Sequence, residues 1–331
     1  MPRLQILVPH WQETPETMRP LLDSIALQQS VDMADIGVII AFDGDEATPL
    51  PLDEWRSRYP FEITDIHPQH GGVSHARNAA LDAATGEYVM LCDADDMLCD
   101  VCGLYIVFRE MDNGGFDTMI SSFREETRDA DGNPVFIVRR NDATFVHGKV
   151  HRRQYLADNH IRFDERLFVH EDGYFNALCR ECADPSRVRV CEDQWYMWKW
   201  RNDSTCRGDP KYILKTYGHM IDSNDALVDA FVVRGMFDKA NAYAAMMFWN
   251  SYFTMNKGEW RDQENVAYRD ATERRFAKYV RKHHAKWDAV PETDKLVMSQ
   301  GIRQRSISEG MLLEALTIDQ WLNRILEKYP E

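Results

Sequence analysis

A chain of 331 residues, 44% apolar and 28% charged, can build one large globular domain or two modest ones. Its net charge of −15 disfavours sequence-independent binding to nucleic acid, which relies on Lys and Arg neutralising phosphates, although a local basic face stays open. No apolar run is long enough to span a bilayer, and the apolar part of Met1–Pro9 is too short for a signal peptide, so a soluble cytoplasmic protein is expected.

The first hundred residues alternate between strand-like and helix-like segments. Leu4–Val8 is a compact apolar run. Glu16–Gln29 carries Met18, Leu21, Leu22, Ile25 and Leu27 at helical spacing after Thr14-Pro15, a suitable helix start. Ile36–Phe42 reads as a second buried strand ending at Asp43-Gly44-Asp45, and Glu62–Ile66 as a third. Ser74–Ala84 is Ala-rich and helical, and stops at Gly86. Strands alternating with helices predict an α/β fold with a mostly parallel sheet, whose ligands bind beyond the carboxyl ends of the strands. Pro9, Asp43 and Asp93 fall at such ends.

In the middle of the chain Phe116–Phe123 and Pro134–Arg140 read as strands around the turn Asp129–Asn133. Arg152–Asn159 and Tyr174–Cys182 read as helices, and Val188–Cys191 and Gln194–Trp200 as two further strands. From Lys211 onward the pattern is helical, with Leu214–Val233 and Lys239–Phe253 as the clearest segments. Arg269–Lys286 collects seven Lys or Arg, which suits a solvated helix face or a contact for an anionic partner. Seven cysteines without a secretory signal imply reduced thiols. The pairs Cys99/Cys102 and Cys179/Cys182 have zinc-like spacing. Both fall in stretches that read as helical, so small buried side chains are expected there instead.

The most informative stretch is Tyr88–Asp96, an apolar run that ends in Asp93, Asp95 and Asp96. Carboxylates at the end of a buried strand are costly unless a cation sits among them. A divalent metal with hard oxygen ligands, its shell completed by a diphosphate, would answer that need. A solvated acidic turn is the plainer alternative. Four further segments weigh on the choice. They are Ile6-Leu7-Val8-Pro9-His10-Trp11, Phe42-Asp43-Gly44, Gly71-Gly72-Val73-Ser74-His75-Ala76-Arg77-Asn78-Ala79-Ala80-Leu81, and Phe163-Asp164-Glu165 followed by Glu171-Asp172-Gly173-Tyr174-Phe175.

Taken in this order with Asp93-Ala94-Asp95, they resemble the landmarks of a family 2 glycosyltransferase with a GT-A fold. Those are the opening Pro-x-Tyr strand, the Asp-bearing second strand, the Gly-Gly-x-Ser-x-Ala-Arg-Asn segment, Asp-x-Asp and the Glu-Asp acceptor motif. Trp11 stands for the usual Tyr and Ala80 for the usual Gly. The resemblance implies a GT-A domain over 1–208 and a C-terminal helical region over 209–331 that contacts acceptor, partner or a second subunit. It implies a nucleoside diphosphate sugar as donor, a UDP-sugar above others, and Mn²⁺ or Mg²⁺ as cofactor. Asp95 would ligate the metal, with Asp93 beside the ribose or the metal. Asp43 and Arg77 would hold the base, and Pro9, Trp11 and Glu13 would line its pocket. Asp172 would be the base of an inverting displacement, with Glu171 orienting the acceptor. Arg201 and Ser204 resemble a loop that closes on the diphosphate.

Processive members carry Gln-x-x-Arg-Trp, where this chain has Trp198–Ser204. Single-sugar transfer is therefore expected, to a cell-envelope glycan, a teichoic-acid-like polymer or a lipid-linked sugar. A modified DNA base ranks lower because of the overall charge. A nucleotide-sugar-binding scaffold without catalysis would lack reason to keep Asp93, Asp95 and Asp172. A nucleotidyltransferase would need a Gly-rich phosphate loop after the first strand, and Pro9-His10-Trp11-Gln12-Glu13 is not one. Peripheral membrane contact and a homo-oligomer stay open.

Overall fold

The computed structural model describes residues 1–202, 204, 207, 209, 211–309 and 316–330. The chain divides into two compact units, Met1–Ser204 and Thr205–Glu331.

The first unit opens with strands and helices in alternation: β1 (Leu4–His10), α1 (Pro15–Ala26), β2 (Ile36–Phe42), α2 (Leu52–Arg58), β3 (Glu62–Ile66), α3 (Val73–Ala83) and β4 (Tyr88–Leu91). β1 lies between β2 and β4 and β3 lies beside β2, all parallel. Every residue of β2 and β4 is buried, as strands covered on both faces must be. α1 begins where the Thr14 hydroxyl accepts the Thr17 N–H and Pro15 supplies a preset φ. It buries Met18, Leu21, Leu22 and Ile25 on the core side. The carboxyl ends of β1, β2 and β4 therefore lie side by side.

The rest of the unit is β5 (Met97–Leu98), α4 (Gly103–Asp112), β6 (Thr118–Arg128), β7 (Pro134–Arg139), β8 (Val150–Arg152), α5 (Arg153–Asp158), α6 (Glu171–Glu181) and β9 (Val188–Trp198). The sheet runs β3-β2-β1-β4-β8-β6-β9-β5, with β7 beside β6. It is mixed: β8 is antiparallel to both β4 and β6, whereas β9 runs parallel to β6. The parallel half is the part that strand–helix alternation predicts, and most antiparallel pairs come from short returning strands and the β6–β7 hairpin.

Three local expectations change. β9 is one strand rather than two, because a register shift against β6 between Ser121 and Phe123 absorbs the polar Glu192-Asp193 break. α6 starts at Glu171, which places the acidic pair in its first turn. Cys99 and Cys102 are not helical: Cys99 follows β5 and donates its N–H to the Trp195 carbonyl of β9, and Cys102 lies in a turn as the cap residue of α4.

The second unit is helical: α7 (Tyr212–Val233), α8 (Phe237–Met255), α9 (Gly258–Arg261), α10 (Val266–Asp288), α11 (Glu292–Ser308) and α12 (Ile318–Lys328). α12 opens with a capping box of Thr317 and Gln320 and buries Ile318, Trp321, Leu322 and Ile325. α10 buries Phe276, Ala277, Tyr279, Val280 and Trp287 and leaves its cations outside. No helix among the described residues is long and apolar enough to cross a membrane.

Candidate active site

The site is built from the ends of β1, β2 and β4 upward. Beyond β2, the buried Asp43 carboxylate accepts the Gly71 N–H at 2.8 Å and the Gly72 N–H at 3.0 Å. These amides precede α3, and Gly72 at φ +85° caps it, so Asp43 ties the second strand to that helix start. Beyond β1, Glu13 accepts the Trp11 N–H at 2.9 Å and pairs with the buried His10 ring at 3.1 Å. Burial pushes the Glu13 carboxyl up, but the bonds from His10 and the Trp11 amide prevail and hold it below its usual value. The Trp11 ring lies 4.6 Å from that of His70, and Pro9 stands opposite Ala41 one residue before the end of β1, with no N–H to leave unsatisfied. Pro9, Trp11, Glu13 and Asp43 thus occupy neighbouring strand ends.

α3 carries Arg77 into the interior. Its guanidinium is 3% exposed and touches three carboxylates: Asp93 at 2.9 Å, Glu171 at 3.0 Å and Asp172 at 2.7 Å. Phe163 covers it 5.2 Å away and stacks in turn on Phe175. The acidic residues after β4 and those opening α6, far apart in sequence, therefore meet on one cation. Asp172 also accepts the Val146 N–H at 3.2 Å. Burial and the neighbouring Asp172 push Glu171 up to about 7, against the pull of Arg77.

The turn after β4 spreads its three carboxylates in different directions. Asp95 accepts from Arg201 at 2.9 Å. Asp96 is fully buried and accepts the Tyr196 hydroxyl at 2.6 Å and the Lys199 N–H at 2.9 Å. The same hydroxyl accepts the Asp93 N–H, so β9 fixes the backbone of the turn. Burial raises Asp95, with Asp93 adding to it; burial, Asp95 and Asp93 hold Asp96 well above the ordinary carboxylate range. Burial would also raise Asp93, but Arg77 and His147 outweigh it.

A divalent cation fits here on the strength of one atom. His147 Nδ1 is buried without a hydrogen-bond partner, 3.7 Å from Asp96 Oδ2 and 4.0 Å from Asp93 Oδ2. These three ligand atoms lie within 4.8 Å of one another. Burial pushes the His147 ring down to about 4, so it is neutral at pH 7 and has a lone pair to offer. Phe145 and Tyr196 stack on it and fix its plane. Lys149, two residues on, is 1% exposed, and burial pushes its ammonium down to about 8.

Residues 5–164 match the family described as Glycosyl transferase family 2. This chain carries a family 2 glycosyltransferase domain. Among similar proteins, the glycosyltransferase EpsJ of Bacillus subtilis is 23% identical, over 60% of this chain and 61% of its own length. The poly(ribitol-phosphate) beta-N-acetylglucosaminyltransferase TarS of Staphylococcus aureus is 23% identical, over 61% of this chain and 36% of its own length. The chain thus spans less than two thirds of either relative. The fold matches that of TarS residues 1–349 in complex with UDP-GlcNAc, at TM-score 0.61 and 16% identity, over 94% of this chain and 93% of the other. It also matches the mannosyltransferase PcManGT of Pyrobaculum calidifontis in complex with GDP-Man and Mn²⁺, at TM-score 0.53 and 14% identity, over 98% and 84%. The glycosyltransferase domain therefore has the GT-A architecture, a mixed sheet flanked by helices, and a helical region follows it.

Within this domain the structure brings Arg77, Asp93, Glu171 and Asp172 into contact, and sets Asp95 against Arg201. Ser204 follows closely, its N–H donating to the Arg201 carbonyl at 3.3 Å. Sequence reasoning counts Asp96 in the acidic cluster without giving it a role of its own, and leaves out His147, Lys149 and Tyr196. Asp96 adjoins the Asp-x-Asp stretch and carries that much signal. His147 and Lys149 stand in a segment with no local pattern, and Tyr196 in a strand pattern that marks no site residue.

Among the described residues the two clusters able to hold a metal contain no cysteine, and no disulfide links the six described cysteines. Cys206 lies outside the described residues.

Proposed function

We propose that this protein transfers a single sugar from a nucleoside diphosphate sugar, a UDP-sugar above others, to a hydroxyl of a cell-envelope polymer, with inversion at the anomeric carbon. The observation that carries the reading is the convergence of Asp93 and the Glu171–Asp172 pair on Arg77. It supports reading Asp93 as a donor-side acid and Glu171–Asp172 as an acceptor-side acid pair, the juxtaposition that in-line displacement requires. The solved complexes of TarS with UDP-GlcNAc and the acceptor in its name support the donor base and the polymer.

In this reading Asp172 receives the proton of the acceptor hydroxyl. Arg77 and the Val146 N–H hold the Asp172 carboxylate in place, and Glu171 orients the acceptor. Arg77, buried among carboxylates, acts as a positioning residue between the two acid sets rather than as a contact for the base. Asp43 shapes the base pocket by holding Gly71 and Gly72, with Pro9, Trp11 and Glu13 along its wall. Asp93, Asp96 and His147 would hold the metal, and Asp95 joins them if Arg201 turns with Ser204 towards the diphosphate. A divalent ion bound there supplies positive charge against the negative charge that grows on the departing diphosphate. The mixed oxygen and imidazole set favours Mn²⁺ over Mg²⁺.

The test is a melting-temperature screen with UDP, GDP, CDP and TDP sugars, each with and without Mn²⁺. Binding to the folded state raises the midpoint by mass action. A metal-dependent rise with a UDP-sugar, lost in Asp93→Asn, is expected. No rise with any donor overturns the reading.

A further inference from the structure

The two units share the acids of this chain unequally. Residues 1–204 hold 20 Lys and Arg against 36 Asp and Glu, whereas residues 205–331 hold 19 against 18. α10 carries seven of those 19 cations. Arg274, Lys278 and Arg281 recur at steps of four and three, so they share one face of the helix. With Lys282, Lys328 and Tyr329 they line an open groove of about 1120 Å³.

The charges in this groove are not all balanced from within. Lys282 is shared by Asp225 and Asp229 at 2.8 and 2.6 Å. Lys328 is shared by Asp270 and Glu273 at 3.1 and 2.6 Å. Among the described residues no carboxylate pairs with Arg274, Lys278 or Arg281. Arg274 lies over the Tyr329 ring at 5.2 Å, Arg281 donates to the Tyr329 carbonyl, and Lys278 is exposed. Tyr329 is held in turn, its hydroxyl bonding Asp270 at 3.0 Å and Glu273 at 2.8 Å. The wall of the groove is thus fixed, and three cations facing it lack an anion.

We infer that this groove binds a phosphodiester chain, a stretch of polyanionic acceptor held by Arg274, Lys278 and Arg281. That the chain is the acceptor rests on the proposed transfer to an envelope polymer; the anion site itself does not. Arg274 to Arg281 covers about 10 Å along the helix, so a line of cations meets a repeating anion rather than a single one. Guanidinium forks suit phosphate oxygens. A lipid surface fits less well, because a membrane-surface helix presents apolar side chains beside its cations. α10 has no exposed large apolar residue.

The experiment uses the full chain and a fluorescently labelled oligo(glycerol phosphate), read by anisotropy. Parallel arms use a neutral dextran oligomer, phosphatidylglycerol vesicles and a single-stranded DNA 20-mer. The wild type is expected to bind the phosphodiester oligomer, with log affinity falling against log salt at a slope of about 2, since each single-strand-like phosphate contact contributes about 0.7. The triple variant R274Q/K278Q/R281Q is expected to bind at least tenfold more weakly and with a shallower slope. Lys278→Glu alone changes an exposed, unpaired side chain, keeps the fold, and is expected to weaken binding severalfold. Unchanged affinity in both variants overturns the inference, as does preference for the vesicles or the DNA. Donor-induced melting shifts on the same samples separate the two readings. Loss of donor binding with oligomer binding intact removes the transferase reading and leaves the groove; the reverse removes only the groove.

Discussion

Three carboxylates share the Arg77 guanidinium, and the charge around it does not balance. Glu171 absorbs part of the excess by holding its proton up to about pH 7, because burial and Asp172 oppose its ionisation. An unfolded glutamate ionises near 4.5. From that pH up to about 7 the unfolded chain gives up a proton that the folded chain keeps, so this group lowers stability as pH rises and does so fully above 7. Glu171→Gln removes the penalty and keeps an oxygen for Arg77. In metal-free, nucleotide-free protein the variant should be more stable than wild type at pH 8, by about 3 kcal/mol at about 1.36 kcal/mol per pKa unit, and no more stable at pH 4.5. Thermal melts at the two pH values check this; a variant no more stable at pH 8 would mean that the Arg77–Glu171 pair outweighs the repulsion. The metal ligands give a second residue-level expectation. His147→Gln and Asp96→Asn should each weaken Mn²⁺ by at least tenfold in an electron paramagnetic resonance titration. Asp95→Asn should weaken it less, because Arg201 already occupies that carboxylate. Asp93, Arg77, Glu171 and Asp172 were legible because each sits in a local run of sequence with a recognisable spacing. His147 and Tyr196 were not, because only the pairing of distant strands brings them under the acidic turn.

The element that delivers His147 is the turn of residues 146–149 before β8. Gly148 has φ +67° there, and a Cβ on it would lie 2.5 Å from the Ser121 hydroxyl and 3.1 Å from Tyr196 Cβ. The Ser121 hydroxyl donates to the Gly148 carbonyl, which clamps the turn against β6. Gly148→Ala should therefore cost about 1–3 kcal/mol in a urea melt, from backbone strain and the clash together. It should also weaken Mn²⁺, since His147 moves with the turn. Unchanged metal affinity in a folded variant would take His147 out of the site. The same scale explains which elements could be read in advance. β1, β2 and β4 are apolar on both faces, so the uninterrupted runs Leu4–Val8, Ile36–Phe42 and Tyr88–Leu91 announced them. β8 is three residues long, so its strand character comes from its neighbours, and β9 crosses the polar pair Glu192-Asp193, so its own pattern reads as two strands rather than one. Strand pattern is legible over Phe116–Phe123, Pro134–Arg140, Val188–Cys191 and Gln194–Trp200, but not over β8, so the antiparallel pairing that runs through β8 was unreadable.

All residues assigned to the donor and acid sites, from Pro9 to Ser204, belong to the first compact unit. An apolar core of that unit runs from Leu4 to Tyr196 and contains no residue of the second. The helical unit buries its own set, among them Phe231, Phe248, Phe276, Trp287 and Trp321. A core closed within residues 1–204 has the apolar area and the hydrogen-bonded sheet that a domain of that size needs to fold alone. A fragment of residues 1–204 should then show a cooperative urea transition and bind a UDP-sugar with Mn²⁺ within about threefold of the full chain. It should not bind the oligo(glycerol phosphate), whose cations lie in α10. The first unit is also the acidic one, so its stability should rise with ionic strength as salt screens repulsion beyond about 10 Å. A fragment that folds but loses the donor would place a donor contact in the helical unit. A fragment that binds both ligands would remove the division of labour between the acidic sheet unit and the basic helical groove.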